Sequence, residues 1–359
     1  MSSTTARMPL IDALKALASQ AIVLHHLAFY GPLSAGLALA FPGVEEWLSE
    51  YARMAVQVFL VIGGFLSARA LSPDGGALRQ RPFGLIVRRY VRLAAPFMAA
   101  IVVAVAVSAV VGRWLDDEMI PGPATLPQML AHAALLHGLL GYESLSAGVW
   151  YVAIDFQLFA LLALSLWLAR RRPAAVLLVC ALTAASLFYF NRAAAWDNWA
   201  LYFFGAYGLG VTAWWASAAG RPRRWLLALA AVGVAALLLD FRLRIALALG
   251  VALLLAVSRR HGLLERWPAW NGLAALGRMS YSLFLIHFPV VLLANGLFRL
   301  AGSTSPPAAV AVILLAWLTS GFAGAAFYRW VEAPACGLGA KRQAPLPSRP
   351  ARGALAAAE

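Results

Sequence analysis

Charge is scarce in this chain. Of 359 residues only 12% are Asp, Glu, Lys or Arg, while 62% are hydrophobic. An ordinary soluble domain carries about a quarter charged residues, so this composition cannot supply its water-facing surface. Cysteine is scarcer still: Cys180 lies inside an apolar stretch and Cys336 near the end of the chain. That excludes a disulfide framework and leaves too few sulfur ligands for a metal site. No P-loop, dinucleotide fingerprint or internal repeat is evident, and Gly208-Leu209-Gly210 alone is no signal. Residues 1–10 lack the apolar core of a cleavable signal peptide.

What the chain has in quantity is long apolar runs. Stretches long enough to span a bilayer occur near 10–31, 51–72, 84–111, 148–169, 174–191, 199–217, 224–239, 242–258, 277–299 and 308–330. The expected fold is therefore an all-α polytopic membrane protein with about ten transmembrane helices around a polar, membrane-crossing cavity. A shorter piece near 127–140 follows Pro121, Pro123 and Pro127 and reads as an interfacial or re-entrant helix. Only Asp240 to Arg244 separates the stretches near 224–239 and 242–258, so two spans or one could be counted there.

The net charge of +14 raises the question of a nucleic-acid partner, and the distribution of basic residues answers against it. Arg69, Arg79, Arg81, Arg88, Arg89 and Arg92 fall between the second and third stretches, whereas Glu45, Glu46 and Glu50 precede the second. Arg170 to Arg172, then Arg221 to Arg224, then Arg259 to Arg278 occupy every second loop thereafter. The positive-inside rule then puts both termini in the cytoplasm and the acidic 113–147 segment outside, with the bacterial cytoplasmic (inner) membrane as the expected location. Residues 341–359, rich in Pro and Ala, read as a disordered cytoplasmic tail after a membrane domain at 1–340.

Ionisable residues inside spans mark function by default. Lys15 and His26 are eleven residues apart in the first stretch. That spacing turns an α-helix through three turns plus about 20° and rises about 16 Å, so both look the same way at different depths, while His25 points about 100° away. In the fourth stretch Asp155 sits at a depth comparable to that of His26. A histidine oriented by a carboxylate is a competent general base, which makes His26 and Asp155 the candidate catalytic pair. His132 and His137 could line an acceptor groove but, five residues apart, do not share a helix face and make a poor metal pair. No metal is expected.

Six ordered blocks carry a resemblance. They are Asp12 through Lys15 to His26, Val58 to Leu66, Arg88 to Leu93 followed by Pro96, Trp150 to Leu158, Ser280 to Pro289, and Tyr328 to Pro334. Together they resemble acyltransferase family 3, the membrane-bound O-acyltransferases, over roughly residues 8–340. The chain departs from the family in having Lys15 for Arg, Gly63 for Ser and Asp155 for Glu. The resemblance implies transfer of an acyl group, commonly acetyl, from cytoplasmic acyl-CoA, a co-substrate and not a bound cofactor. The implied acceptor is a hydroxyl of a carbohydrate or glycolipid at the outer side of the membrane. His26 would be the base, and Lys15, Arg88, Arg89 and Arg92 would meet the CoA phosphates. Tyr281, Ser282 and His287 are candidate acceptor or oxyanion contacts; Asp12, Arg329 and Glu332 are candidate structural or gating residues.

Blander roles stand beside these. Arg88 and Arg89 could be topology anchors, Asp155 an interhelical ion-pair partner, His287 a helix-to-helix contact, and Glu332 the partner of an arginine such as Arg329. A polytopic transporter or flippase for a glycan or small polar substrate needs the same intramembrane charges. Partners beyond membrane lipids and the acceptor would include a separate extracytoplasmic acyltransferase if the membrane domain does not suffice alone.

Overall fold

The structure is a computed structural model that describes residues 7–218, 220 and 222–335. Cys336 and the expected tail at 341–359 lie outside the described residues. Among the described residues every regular element is a helix: α1 (Pro9–Phe29), α2 (Gly31–Ala40), α3 (Pro42–Glu50), α4 (Val56–Leu71), α5 (Phe83–Val111), α6 (Leu126–Ala133), α7 (Trp150–Leu168), α8 (Arg172–Phe188), α9 (Ala200–Ala218), α10 (Pro222–Leu239), α11 (Leu243–Arg260), α12 (Leu263–Arg266), α13 (Asn271–Arg278), α14 (Ser280–Leu300) and α15 (Pro306–Phe327). A π-helical turn, Tyr328–Glu332, continues α15.

Each of the ten apolar stretches corresponds to a helix, and Asp240 to Arg242 does separate α10 from α11. The count of about ten membrane spans is not reached by length and apolarity, which qualify seven helices, or eight if α1 and α2 are one broken span. Chemistry explains the difference. α11 carries Arg244, Arg259 and Arg260, and α9 is diluted by glycine, tyrosine and tryptophan. α1 contains Asp12, Lys15, His25 and His26, and passes only together with α2, from which it bends by 91°. Gly31 makes that bend with φ +69°, and a Cβ there would press on the Asn295 side chain.

Two apolar cores hold the bundle. The larger runs through α4, α7, α9 and α11; the smaller joins α2, α14 and α15 to the far end of α5. α9 is the axis of the first, with most of its residues buried against α4, α8 and α11. Small residues allow that approach: a Cβ on Gly64 would fall on the Tyr207 carbonyl oxygen, and one on Gly210 on that of Val61. With no hydrophobic force between helices in lipid, such close backbone packing is what holds them together. The Gly208-Leu209-Gly210 run is therefore a helix-packing surface.

The expected short helix is α6, begun by a capping box between Thr125 and Gln128 and ended where Leu135 takes φ 58°. It spans less of 127–140 than expected because the chain reverses there. The segment folds back along α5: Tyr90 donates its hydroxyl proton to the Ala133 carbonyl at 2.7 Å, although it precedes the Val111 end of α5 by about 31 Å of helix rise. Leu126, Leu130 and Leu140 remain exposed on its outer side.

The α4–α9 crossing yields a prediction. Gly64→Val should destabilise the protein by about 1–3 kcal/mol through overpacking, and lower its melting temperature in detergent, whereas Gly43→Ala, in open space, should leave it unchanged.

Candidate active site

The first polar residues of α1 are set by its neighbours. α13 packs on α1 at Gly277, where a Cβ would fall on the Asp12 carbonyl oxygen, and Asp12 itself pairs with Arg7 at 3.0 Å. One turn on, Lys15 is half-buried, within electrostatic reach of Asp12, Arg92, Arg89 and Asp155. α1 then carries the chain to His26, buried where α1 meets α14.

His26 does not use Asp155 as its hydrogen-bonding partner. Its Nδ1 lies 2.6 Å from Nε2 of His287, and Nδ1 of His287 lies 3.1 Å from the Leu283 carbonyl oxygen. A carbonyl only accepts, so His287 carries its proton on Nδ1. In the neutral ring its Nε2 is then a lone pair, which accepts the Nδ1–H of His26. The unprotonated nitrogen of His26 is Nε2, which makes no hydrogen bond among the described residues. Sequence reasoning named His287 only as an acceptor, oxyanion or helix contact; adjacency of α1 and α14 supplies its role, and no sequence signal carries that adjacency.

Asp155 instead accepts from Arg89, with Nη2 to Oδ2 at 2.5 Å. The guanidinium lies over Phe159, 5.4 Å from the ring centroid, and its Nε has no hydrogen bond. A buried cation in lipid requires such a counter-charge. Arg88 and Arg92 are exposed on another face of α5. The expected donor cluster is thus split: Arg89 points inward, Arg92 reaches Lys15 and Glu332 electrostatically, and Arg88 faces out. Gly63 leaves room beside the acid, since a Cβ there would be 3.5 Å from Asp155 Oδ1 and 3.3 Å from the Tyr207 ring.

The remaining candidates have protein partners. Ser282 donates to Glu332 at 2.5 Å and Tyr281 to the Leu93 carbonyl at 2.9 Å, so both hydroxyl protons point to protein acceptors rather than to a site for an oxyanion. Pairing of Glu332 with Arg329 is corrected: the π turn directs Glu332 to Ser282 and leaves Arg329 exposed. His25 ties α1 to α3 through the Leu48 carbonyl at 3.0 Å. Gly148, missed in the sequence, backs His26; it has φ +80°, and a Cβ would stand 3.5 Å from Cε1 of His26 and 3.3 Å from Phe284.

His132 and His137, on different helical faces by spacing, are stacked by the reversal at Leu135, with centroids 4.1 Å apart. His132 uses both nitrogens, one toward the Gln128 carbonyl and one accepting from the Leu145 amide. Both nitrogens of His137 are buried without a partner. Burial and the neighbouring His132 hold His137 down to about 4. Among the described residues no group of three metal-ligating side chains occurs.

Two cavities stand at opposite ends of α7. One of about 320 Å³ adjoins Trp150 and His137, and one of about 340 Å³ adjoins Trp167, Arg79 and Arg170.

Buried histidines joined between two helices, a buried ion pair and apolar helices around them define an integral membrane protein with an intramembrane polar site. A family model described as an acyltransferase domain matches residues 9–325, and the chain belongs to that family, acyltransferase family 3. It is a membrane acyltransferase. Comparison with curated proteins and with solved structures finds no match.

Two outcomes follow from this geometry. Gly148→Ala should strain a left-handed backbone and crowd Phe284 beside His26, lowering turnover about tenfold or more with little change in expression, as read by product formation per folded protein. For His137, the unfolded chain, titrating near 6.5, binds a proton at higher pH than the folded chain does at about 4. Stability from this group is therefore complete above about 6.5 and lost as pH falls toward about 4. Melting temperatures from pH 7.5 to pH 5 should decline, and the decline should be shallower in His137→Phe.

Proposed function

We infer that the protein moves an acyl group, acetyl foremost, from cytoplasmic acyl-CoA to a hydroxyl of a carbohydrate or glycolipid acceptor at the outer side of the membrane. The transfer belongs to the acyl transfers that do not use amino-acyl groups. The observation that carries the reading is the hydrogen-bonded run Leu283 carbonyl, His287, His26, which leaves His26 Nε2 as a lone pair. The base takes the acceptor hydroxyl proton while the oxygen attacks the thioester carbonyl; the C–S bond then breaks and the imidazolium returns the proton to the leaving thiolate. His287 holds the tautomer, the task a carboxylate performs in a triad.

Lys15, Arg89 and Arg92 supply the positive charge on the donor side. In this reading the N-terminal end of α1 faces the cytoplasm, both termini lie there, and the membrane is the bacterial inner membrane. The domain occupies residues 1–340. Alternating basic and acidic loops support the orientation.

His26→Ala should lower acyl transfer by about 10²–10⁴-fold in purified, folded protein, and His287→Ala by less, while His25→Ala should be mild. Wild-type turnover by His26→Ala would remove the base from the scheme. On the donor side, Lys15→Arg should retain activity and Lys15→Met should weaken acyl-CoA binding, more so at low salt. For topology, cysteines introduced singly at positions 116 and 303 of a variant lacking the native ones should react with an impermeant thiol reagent, and those at 75, 171 and 345 only after lysis. External labelling at 345 would put the donor on the wrong side.

A further inference from the structure

The cavity of about 320 Å³ at the Trp150 end of α7 has no part in the relay just described. It lies between the first turns of α7, the 137–144 segment and the residues that precede α9. Trp150 and Phe203 form an aromatic wall, their rings stacked at 5.4 Å with an interplanar angle of 29°. The polar lining comes from His137, Ser144, Gln157, Asp197 and Asn198. His137 is 1% exposed, with neither ring nitrogen hydrogen-bonded. Gln157 uses its carbonyl oxygen to accept the Ala200 amide, and its amide nitrogen makes no hydrogen bond among the described residues. Asp197 and Asn198 are exposed at the rim. An aromatic face with amides, a hydroxyl, an imidazole and a carboxylate around it fits a ring that is apolar on its faces and hydroxylated at its edges.

The charge pattern narrows the ligand. No Lys or Arg lines the cavity, and its only charged residue is Asp197. A phosphate or carboxylate would meet that acid with no counter-charge in the lining, so the cavity disfavours an anion.

Position links the cavity to the reaction. Ser144 and Trp150 flank Gly148, whose backbone backs His26. Trp150 is two residues from Gly148, hence within about 7 Å along the chain. Tyr151 and Phe284, with ring centroids 5.4 Å apart, continue the aromatic surface from Trp150 toward Gly148 and His287.

We propose that this cavity binds one uncharged sugar ring of the acceptor, beside the ring whose hydroxyl His26 deprotonates. The proposal rests on the acyl-transfer reading for the identity of the ligand as acceptor, and on the cavity alone for its chemistry.

The test uses the full chain in lipid nanodiscs without acyl-CoA. Binding of methyl glycosides of glucose, galactose and mannose is compared with that of glucuronic acid and glucose 6-phosphate by saturation-transfer NMR and competition. At least one neutral glycoside should bind, at least tenfold more tightly than either anion. Asn198→Ala and Gln157→Ala should each weaken it about tenfold, and Asp197→Lys should shift the preference toward the anions. Both Asp197 and Asn198 are exposed, so these variants test contact rather than folding. Absence of binding by every neutral glycoside, equal binding of the anions, or indifference to the three substitutions would each overturn the site. Hydrolysis of acetyl-CoA by wild type and by His26→Ala, measured separately, tests the acyl-transfer reading. Glycoside binding that holds while His26→Ala changes nothing would retain the cavity and reject that reading.

Discussion

A charge left without a partner in hydrocarbon is costly, and the pairings of the site follow from that constraint. Arg89 enters the bundle from α5 and must be met, so α7 supplies Asp155. Once Asp155 is engaged there, His26 needs another partner, and α14 supplies His287. His287 in turn needs an acceptor within its own helix and finds one in the Leu283 carbonyl four residues back. Four helices are joined in pairs by these two contacts, α5 to α7 through charge and α1 to α14 through neutral rings. The separation leaves His26 Nε2 without a hydrogen bond among the described residues, while Arg89 and Arg92 lie within electrostatic reach of Lys15.

Much of this was legible in the chain, because hydropathy sets helix existence in a membrane more firmly than in water. All ten apolar stretches are helices, and the one that carries both Lys15 and His26 is α1, where Lys15 lies within electrostatic reach of Arg89 and Asp155 and His26 meets His287. The number of spans was less legible, since α9 and α11 satisfy their polar or small residues inside the protein and so need not be uniformly apolar. Partner choice was not legible at all. Asp155 was expected at the depth of His26, yet it pairs with Arg89 and lies within electrostatic reach of Lys15, a position that counting turns from the end of an apolar stretch does not fix. For the same reason Glu332 was matched to an arginine one turn away, when the π turn had moved it onto Ser282. His132 and His137 look unrelated in a helical projection and become stacked because Leu135 adopts a backbone conformation that no periodicity argument includes.

The glycines show the same division between local and global information. Gly64 and Gly210 set how closely α4 and α9 approach, and α7 packs on both of those helices. Gly148 is local to the site in space and remote in sequence. Its missing side chain leaves room beside Cε1 of His26, so the placement of that ring depends on omission as much as on contact.

The run of hydrogen bonds from His26 has an end, and the nature of that end matters to the cell. Leu283 offers a carbonyl oxygen, which accepts a hydrogen bond but neither holds nor passes on an acidic proton. A proton captured at Nε2 therefore has no onward path through His287 and leaves from the nitrogen by which it came. Membranes that store energy as a proton gradient cannot tolerate relays that conduct across them. Terminating this one in the backbone leaves the histidine pair unable to conduct protons, which is the property that the acyl transfer proposed above would require of it.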